Sequence, residues 1–286
     1  MTTAETVVSG AALRLPDRRR RTLWWIASAL VVVAAVVVAG TAAVDTAQAT
    51  SLTERNLAPS WGHPFGTDRL GRDVLARTLA GLRLSLVVGT LAALVSAAIA
   101  VVLACAAAVF GGIVDRIVCW LVDAFLALPH LVLLILLAFA LGGGTHAVVV
   151  AVALTHWPTL TRVLRGQARQ VVGSDYVAIA RGLGSSAPAI AAGHLARHLL
   201  GHVVVGTVLL FPHAILHEAA LSFLGLGVDP AEPSIGVLLA ESMRYLTAGA
   251  WWLALLPGLC LLIVVKLVDT IGENARALVD PRSVHL

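Results

Sequence analysis

The sequence predicts an all-α membrane protein of six transmembrane helices, on three observations: an apolar composition, six long apolar runs, and basic residues gathered to one side of those runs. Of 286 residues, 59% are hydrophobic and 13% charged, and the mean hydropathy is +0.91. Soluble domains hold roughly 45–50% apolar and about 25% charged residues. A chain this apolar has too little polar surface to clothe itself in water, so its solvent is a bilayer.

Each span requires about 20 apolar residues, and six stretches qualify: 23–44, 84–110, 117–141, 145–163, 199–221 and 251–268. The first follows the basic run Arg18 to Arg21. It is too long for the apolar core of a secretory signal, so it reads as an anchor. The first three and the last are uniformly apolar. The fourth carries Pro158 and the fifth Pro212. A proline leaves a backbone carbonyl without its helical donor and lipid supplies none, so these two spans are expected inside the bundle. Cys105, Cys119 and Cys260 each stand alone in an apolar run, with neither redox nor zinc spacing.

Basic residues favour the cytoplasmic side of a bilayer. With the N-terminus inside, Arg14, Arg18 to Arg21, Arg116, Arg162, Arg165, Arg169, Arg181, Arg197, Lys266, Arg276 and Arg282 all face the cytoplasm. Only Arg55, Arg69, Arg72, Arg77, Arg83 and Arg244 stay outside, most of them in a loop that also holds Asp45, Glu54, Asp68 and Asp73. Both termini are then cytoplasmic. The expected division is a tail over 1–22, the first span over 23–44, an extracytoplasmic loop over 45–83, a five-span core over 84–268 and a cytoplasmic tail over 269–286. Within the core lie a cytoplasmic loop, 164–198, and an outer loop, 222–250. Many alanines, valines and arginines against a single lysine suggest a GC-rich bacterial genome, and so a multi-pass protein of a bacterial cell membrane.

The loop over 164–198 is patterned. Gly173, Ser174 and Asp175 supply turn and cap chemistry, Tyr176 to Arg181 reads as a short helix, and Leu183-Gly184-Ser185-Ser186 stops it before a second helix near Pro188. Tyr176, Ile179 and Ala180 then share an apolar face. On spacing alone this is either a docking element or a solvated hairpin lying on the membrane. In the outer loop, Gly225, Gly227, Pro230 and Pro233 mark turns, and residues 235–245 alternate like an amphipathic helix at the interface.

Residues Asp175 to Gly184, DYVAIARGLG, resemble the EAA loop of binding-protein-dependent ABC-transporter permeases. There, E-A-A, three residues and a glycine form a coupling helix seated in a groove of the ATPase; here Ala178, Ile179, Ala180 and Gly184 occupy those positions. Four further stretches are similar to the dipeptide and oligopeptide branch: HPFGTDRLGRDVLARTLAGLRLSLVVG from His63, GGIVDRIVCWLVDAFLALP from Gly111, LSFLGLGVDPAEPSIGVLLAE from Leu221 and LVDPR from Leu278.

This resemblance implies the type I ABC importer permease fold and the second, C-type permease of an importer for dipeptides or oligopeptides, with haem or a metal chelate as alternative cargo. It implies a homologous second permease as heterodimer partner, two ATPase subunits holding ATP and Mg, an extracytoplasmic binding protein, surrounding lipid and no nucleic acid. ATPase coupling is implied for Asp175, Tyr176, Ala178, Ile179, Ala180, Arg181, Gly184 and Ser185. Binding-protein docking is implied for Asp68, Arg69, Arg72, Asp73, Asp229 and Glu232, and closure of an outer gate for Glu218, which matches a family position.

The chain itself is not expected to be an enzyme. A P-loop needs a Gly-Lys pair, and the one lysine, Lys266, follows Val265. The fragment His217-Glu218-Ala219-Ala220-Leu221 lacks the second histidine of a zinc protease. His194, His198 and His202 repeat every four residues, as do His213 and His217. Either face could meet a metal, but the first set sits at a span end where half-polar rings snorkel, so neither a metal nor a cofactor is assigned. An ionisable group near a span centre costs about 2.5–3.5 kcal/mol on insertion scales. Asp123 is therefore expected either to pair with Lys266 or with Arg116, or to line the pathway as an independently hydrated carboxylate. The rival class, an ion-coupled secondary transporter, would show matched repeats of broken helices with midplane carboxylates; the sequence contains no such repeat.

Overall fold

In the computed structural model residues 18–229 and 231–279 are described. Arg14, Pro230 and Arg282, which the sequence reading uses, lie outside them. The described chain runs α1 (Arg18–Ala42), α2 (Val44–Gln48), α3 (Val74–Phe110), α4 (Gly112–Ala127), α5 (His130–Ala140), α6 (Gly144–Val172), α7 (Asp175–Gly182), α8 (Ala187–Ile190), a π-helical turn (Ala191–Leu195), α9 (Ala196–Phe223), α10 (Ile235–Ser242) and α11 (Trp252–Val279). Among the described residues, five continuous helices are long and apolar enough to cross a bilayer: α1, α3, α6, the run from Ala187 to Phe223, and α11.

The sixth expected span is broken. α4 and α5 meet at a bend of 96° and count as one crossing only if taken together. The cause is local. Pro129 has no amide hydrogen and crowds the residue before it, and Leu128 accordingly takes extended backbone, φ −82° and ψ 141°. Apolar composition had hidden the break, since hydropathy is blind to a Leu-Pro step.

Alanines on α3 set the packing. Ala93, Ala97, Ala100, Ala104 and Ala107 are all buried, and their alternating steps of four and three keep them on one face. Small residues let helices approach closely in lipid, and α6 lies along this stripe. One core cluster joins Ala97, Ala100, Ala104 and Ala107 to Leu160, Leu164 and Ala168 of α6 and to Val177 of α7. A second joins Val88 and Ala92 to Val148, Ala151 and Val152 of α6, Leu134 and Ala138 of α5, and Ala214 and Leu221 of α9. α3 and α6 thus run parallel and α9 antiparallel to them, with α7 at one end of the bundle and α10 at the other. Val33, Val36 and Val37 of α1 pack with Leu82, Leu86, Leu261 and Val264 at the α10 half. The N-terminal end of α1 and the C-terminal end of α11 therefore both lie at the α7 end.

The two proline-bearing spans differ. α6 is the most enclosed, with 67% of its most apolar window buried, against 28% for the run from Ala187 to Phe223. Pro158 lies on the buried side of α6. The carbonyl it deprives of a donor, Leu154 O, receives Trp157 Nε1–H instead at 3.0 Å, the internal repair that a bilayer demands. α9 buries Pro212 itself but turns Leu200, Val204 and Leu216 outward. The expectation of an interior span holds for α6 and fails for α9, whose apolar residues surround the helix and leave one side for lipid or a partner.

Candidate functional site

At one end of the bundle, α7 is a rigid projection. Val177 is fully buried and joins the cluster of Leu164, Ala168 and Val171 of α6, Ile190 of α8 and Leu195 of the π turn. The Tyr176 ring packs against His194 with centroids 5.6 Å apart. Outward from this anchor, Tyr176, Ile179 and Leu183 are 48%, 63% and 83% exposed. The apolar face therefore includes Leu183 in place of the expected Ala180, which is half-buried. Asp175, Ala178, Arg181, Gly184 and Ser185 are exposed as well.

α7 ends in a Schellman motif: Ser185 N–H donates to Ala180 O at 3.0 Å and Gly184 N–H to Arg181 O at 2.9 Å. This needs a left-handed residue, and Gly184 has φ +86°. A Cβ there would meet nothing within 4 Å, so within this chain the glycine is required by backbone conformation, not by crowding.

At the opposite end, loop 49–73 is locked onto α3 and α10 by charge. Asp68 Oδ2 accepts from Arg72 Nε at 2.7 Å and from Arg77 Nη1 at 2.6 Å. Glu241 Oε2 accepts from Arg77 Nη1 at 2.9 Å and Arg72 Nη2 at 3.4 Å. Asp68 Oδ1 also caps the turn, taking Leu70 N at 2.8 Å and Arg72 N at 3.0 Å. Asp73 opens α3 by accepting from Ala76 N at 2.8 Å, and its other oxygen meets His63 Nδ1 at 2.8 Å.

Three of the residues put forward for docking are therefore engaged within the chain: Asp68 and Arg72 are buried and Asp73 is a helix cap. Arg69, Asp229 and Glu232 remain exposed. Burial pushes the Asp68 carboxyl up, but the Arg72 amide, the Arg77 and Arg72 guanidinium groups and the Leu70 amide together hold it below the ordinary aspartate range. Its folded value is lower than its unfolded one. The stabilisation is thus complete at neutral pH and is lost only as the pH falls through the depressed value.

Beside the clamp, Glu218 of α9 is fully buried. Its Oε1 accepts from Ser222 Oγ at 2.8 Å and Ser234 Oγ at 3.3 Å, and its Oε2 accepts from Ser85 Oγ of α3. One carboxyl group thereby joins α9, α3 and the segment leading into α10. α10 lies close enough that a Cβ at Gly236 would stand 2.2 Å from Ala219 O. The helix expected to lie at the membrane interface is instead packed into the bundle end, with Ile235 to Leu238 buried.

The intramembrane charges pair otherwise than expected. Asp123 Oδ1 accepts from Arg162 Nη2 at 2.6 Å, with side chains 68% and 57% exposed. Lys266 pairs with Asp269 on its own helix at 2.7 Å, so neither it nor Arg116 is the partner of Asp123. The reason is the antiparallel course of α4 beside α6, which sets Asp115, Asp123 and Phe125 against Arg165, Arg162 and Trp157 in turn and lets Arg165 grip Asp115 at 2.5 and 2.7 Å.

Comparison with known proteins fits this architecture. Residues 98–283 match the family described as the binding-protein-dependent transport system inner membrane component. The dipeptide transport system permease protein DppC of Bacillus subtilis (strain 168) is 35% identical over 232 residues, covering 81% of this chain and 72% of that protein. The chain belongs to this permease family. A peptide permease protein of Brucella suis biovar 1 (strain 1330) is 38% identical over 235 residues, 81% of this chain and 77% of its own. A peptide transport system permease protein of Brucella abortus biovar 1 (strain 9-941) is 35% identical over 234 residues, 82% and 78%. The permease is thus a multi-pass inner-membrane component of the peptide-transport kind, and its relatives are transporters, not enzymes.

Sequence reasoning missed two residues in these sites. In the sequence Arg77 is one more charge on the outer side, yet it is the most buried member of the clamp at 1% exposure. Its position opening α3, nine residues after Asp68, was the available signal. Glu241 lay in a stretch read for helical amphipathy, and nothing local pairs it with residues more than 160 positions earlier.

Proposed function

We propose that this permease is the second, C-type subunit of an ATP-driven importer of dipeptides or oligopeptides, with α7 and both termini in the cytoplasm. ATP and Mg belong to two separate ATPase subunits, a homologous permease completes the pathway, and an extracytoplasmic binding protein delivers cargo to the end bearing Arg69, Asp229 and Glu232. One observation carries the reading: α7 shows an apolar face of Tyr176, Ile179 and Leu183 while Val177 fixes it to the helices that line the core. Exposed apolar side chains on a short rigid helix suit a groove in another protein. A partner that binds α7 more tightly in one arrangement of the bundle than in the other selects that arrangement.

Ile179→Glu is expected to abolish ATP-dependent peptide uptake in proteoliposomes and to release the ATPase on purification. Thermal stability of the permease should stay unchanged, because Ile179 touches solvent and not the core. A cysteine at 179 that cross-links to no ATPase at any stage of the cycle would overturn the assignment.

The Asp123–Arg162 pair extends it. Charged groups facing lipid are costly, so a pair this exposed points into a wet pathway or toward the second permease. Charge reversal at either position, Asp123→Arg or Arg162→Asp, is expected to cut uptake severalfold, and the double reversal to restore most of it. Additive loss in the double variant would show that the pair has no joint role.

A further inference from the structure

We propose that His130, His156 and His217 form a binding site for one divalent transition-metal ion of the zinc class, held between α5, α6 and α9. The three histidines come from separate helices and share no sequence period. Their rings nevertheless meet, with centroids 4.7, 4.8 and 5.0 Å apart in the three pairs. One ring nitrogen from each lies within 4.8 Å of the others. The spaced set of His194, His198 and His202 is not gathered in this way.

The second observation concerns one atom. His156 is 9% exposed, and its Nδ1 lies 2.8 Å from Val152 O. A carbonyl only accepts, so Nδ1 carries the proton and Nε2 is left with its lone pair. That Nε2 is buried and has no hydrogen-bond partner. An orphaned acceptor in a membrane interior is unfavourable, and a bound ion is one of the explanations such an atom calls for; here two further imidazoles converge on it. The arrangement is also the one that metal-bound imidazoles take, with the far nitrogen donating to a carbonyl and so fixing tautomer and ring plane.

The donor set names the class. Three neutral imidazoles with no carboxylate suit zinc, copper or nickel and not calcium or magnesium, which take oxygen ligands. Zinc–nitrogen bonds of about 2.0–2.1 Å place tetrahedral ligand atoms roughly 3.4 Å apart. The present spacing is wider, so binding requires the half-buried His130 and His217 rings to rotate toward His156. Three protein ligands leave a fourth position for water or another donor. His213, one turn before His217, has its Nδ1 3.2 Å from Leu209 O and is not one of the three. Because His130 is the first residue after the Leu128-Pro129 break, the ion would fasten that bend to α6 and α9.

The test uses the detergent-purified, tag-free transporter, stripped with a chelator and reloaded with Zn2+ or Co2+. We expect one additional zinc per permease relative to the His156→Ala and His217→Ala forms, and an intense visible cobalt band of tetrahedral type that both substitutions remove. His198→Ala should keep metal and band. Wild-type protein should also melt at a higher temperature with Zn2+ than without, while His217→Gln, which keeps a side chain of similar reach, should lose that shift. Equal zinc content in parent and variants, no cobalt band, or no zinc-dependent shift in wild type would each overturn the site. None of these readouts depends on what the permease transports.

Discussion

Asp68→Ala is expected to destabilise the permease by about 4 kcal/mol, within the range for breaking a buried ion pair from one side. The aspartate receives Arg77 and Arg72 on one oxygen and the Leu70 and Arg72 amides on the other. Its removal leaves the Arg77 guanidinium, 1% exposed, with Glu241 alone, and frees two amides in the turn. Arg77→Met should cost less, about 3 kcal/mol, because Arg72 still reaches both carboxylates. Chemical denaturation of the detergent-solubilised chain, followed by circular dichroism, gives both values. A loss below about 1 kcal/mol for Asp68→Ala would mean that the clamp behaves as a surface pair. The ranking also separates folding from docking: Arg69→Ala, at an exposed position, should leave stability alone and act only on capture of a binding protein.

How much of this could be read from the chain depends on the range of the interaction. The five continuous spans follow from local hydropathy, and the helix, turn and helix around Tyr176 follow from Gly184 and Pro188 acting within a few residues, whereas the Ser174 hydroxyl, expected to cap the helix, instead donates back to Val171 O. Both are written locally. The break at Leu128-Pro129 was also local, but an apolar run on either side outweighed one proline. Pairings across the bundle were not legible at all. Asp123 could be expected to need a cation, yet choosing Arg162 over Lys266 requires knowing that α4 lies beside α6. The same holds for His156, which shares no spacing with His130 or His217, and for the docking residues, where a cluster of charges reads alike whether it faces a partner or itself.

Glu218 offers the second large effect, and two substitutions separate its possible roles. Glu218→Ala removes the acceptor for three hydroxyls and opens a cavity where α9, α3 and the approach to α10 meet. Unsatisfied buried groups and lost volume together should cost about 3 kcal/mol, and with α10 loosened, uptake should be lost. Glu218→Gln keeps the size and keeps an amide oxygen for Ser222 and Ser234. Only the Ser85 contact changes, since the amide nitrogen now donates and the serine oxygen accepts, which a rotating hydroxyl allows. The glutamine form is therefore expected to stay within about 1 kcal/mol of the parent and to retain uptake. Equal damage from Gln and Ala would show that the carboxyl's acidity is needed at this junction and that hydrogen bonding alone does not hold it. Retained uptake with Gln would show that the junction needs an acceptor of this size and no ionisable group.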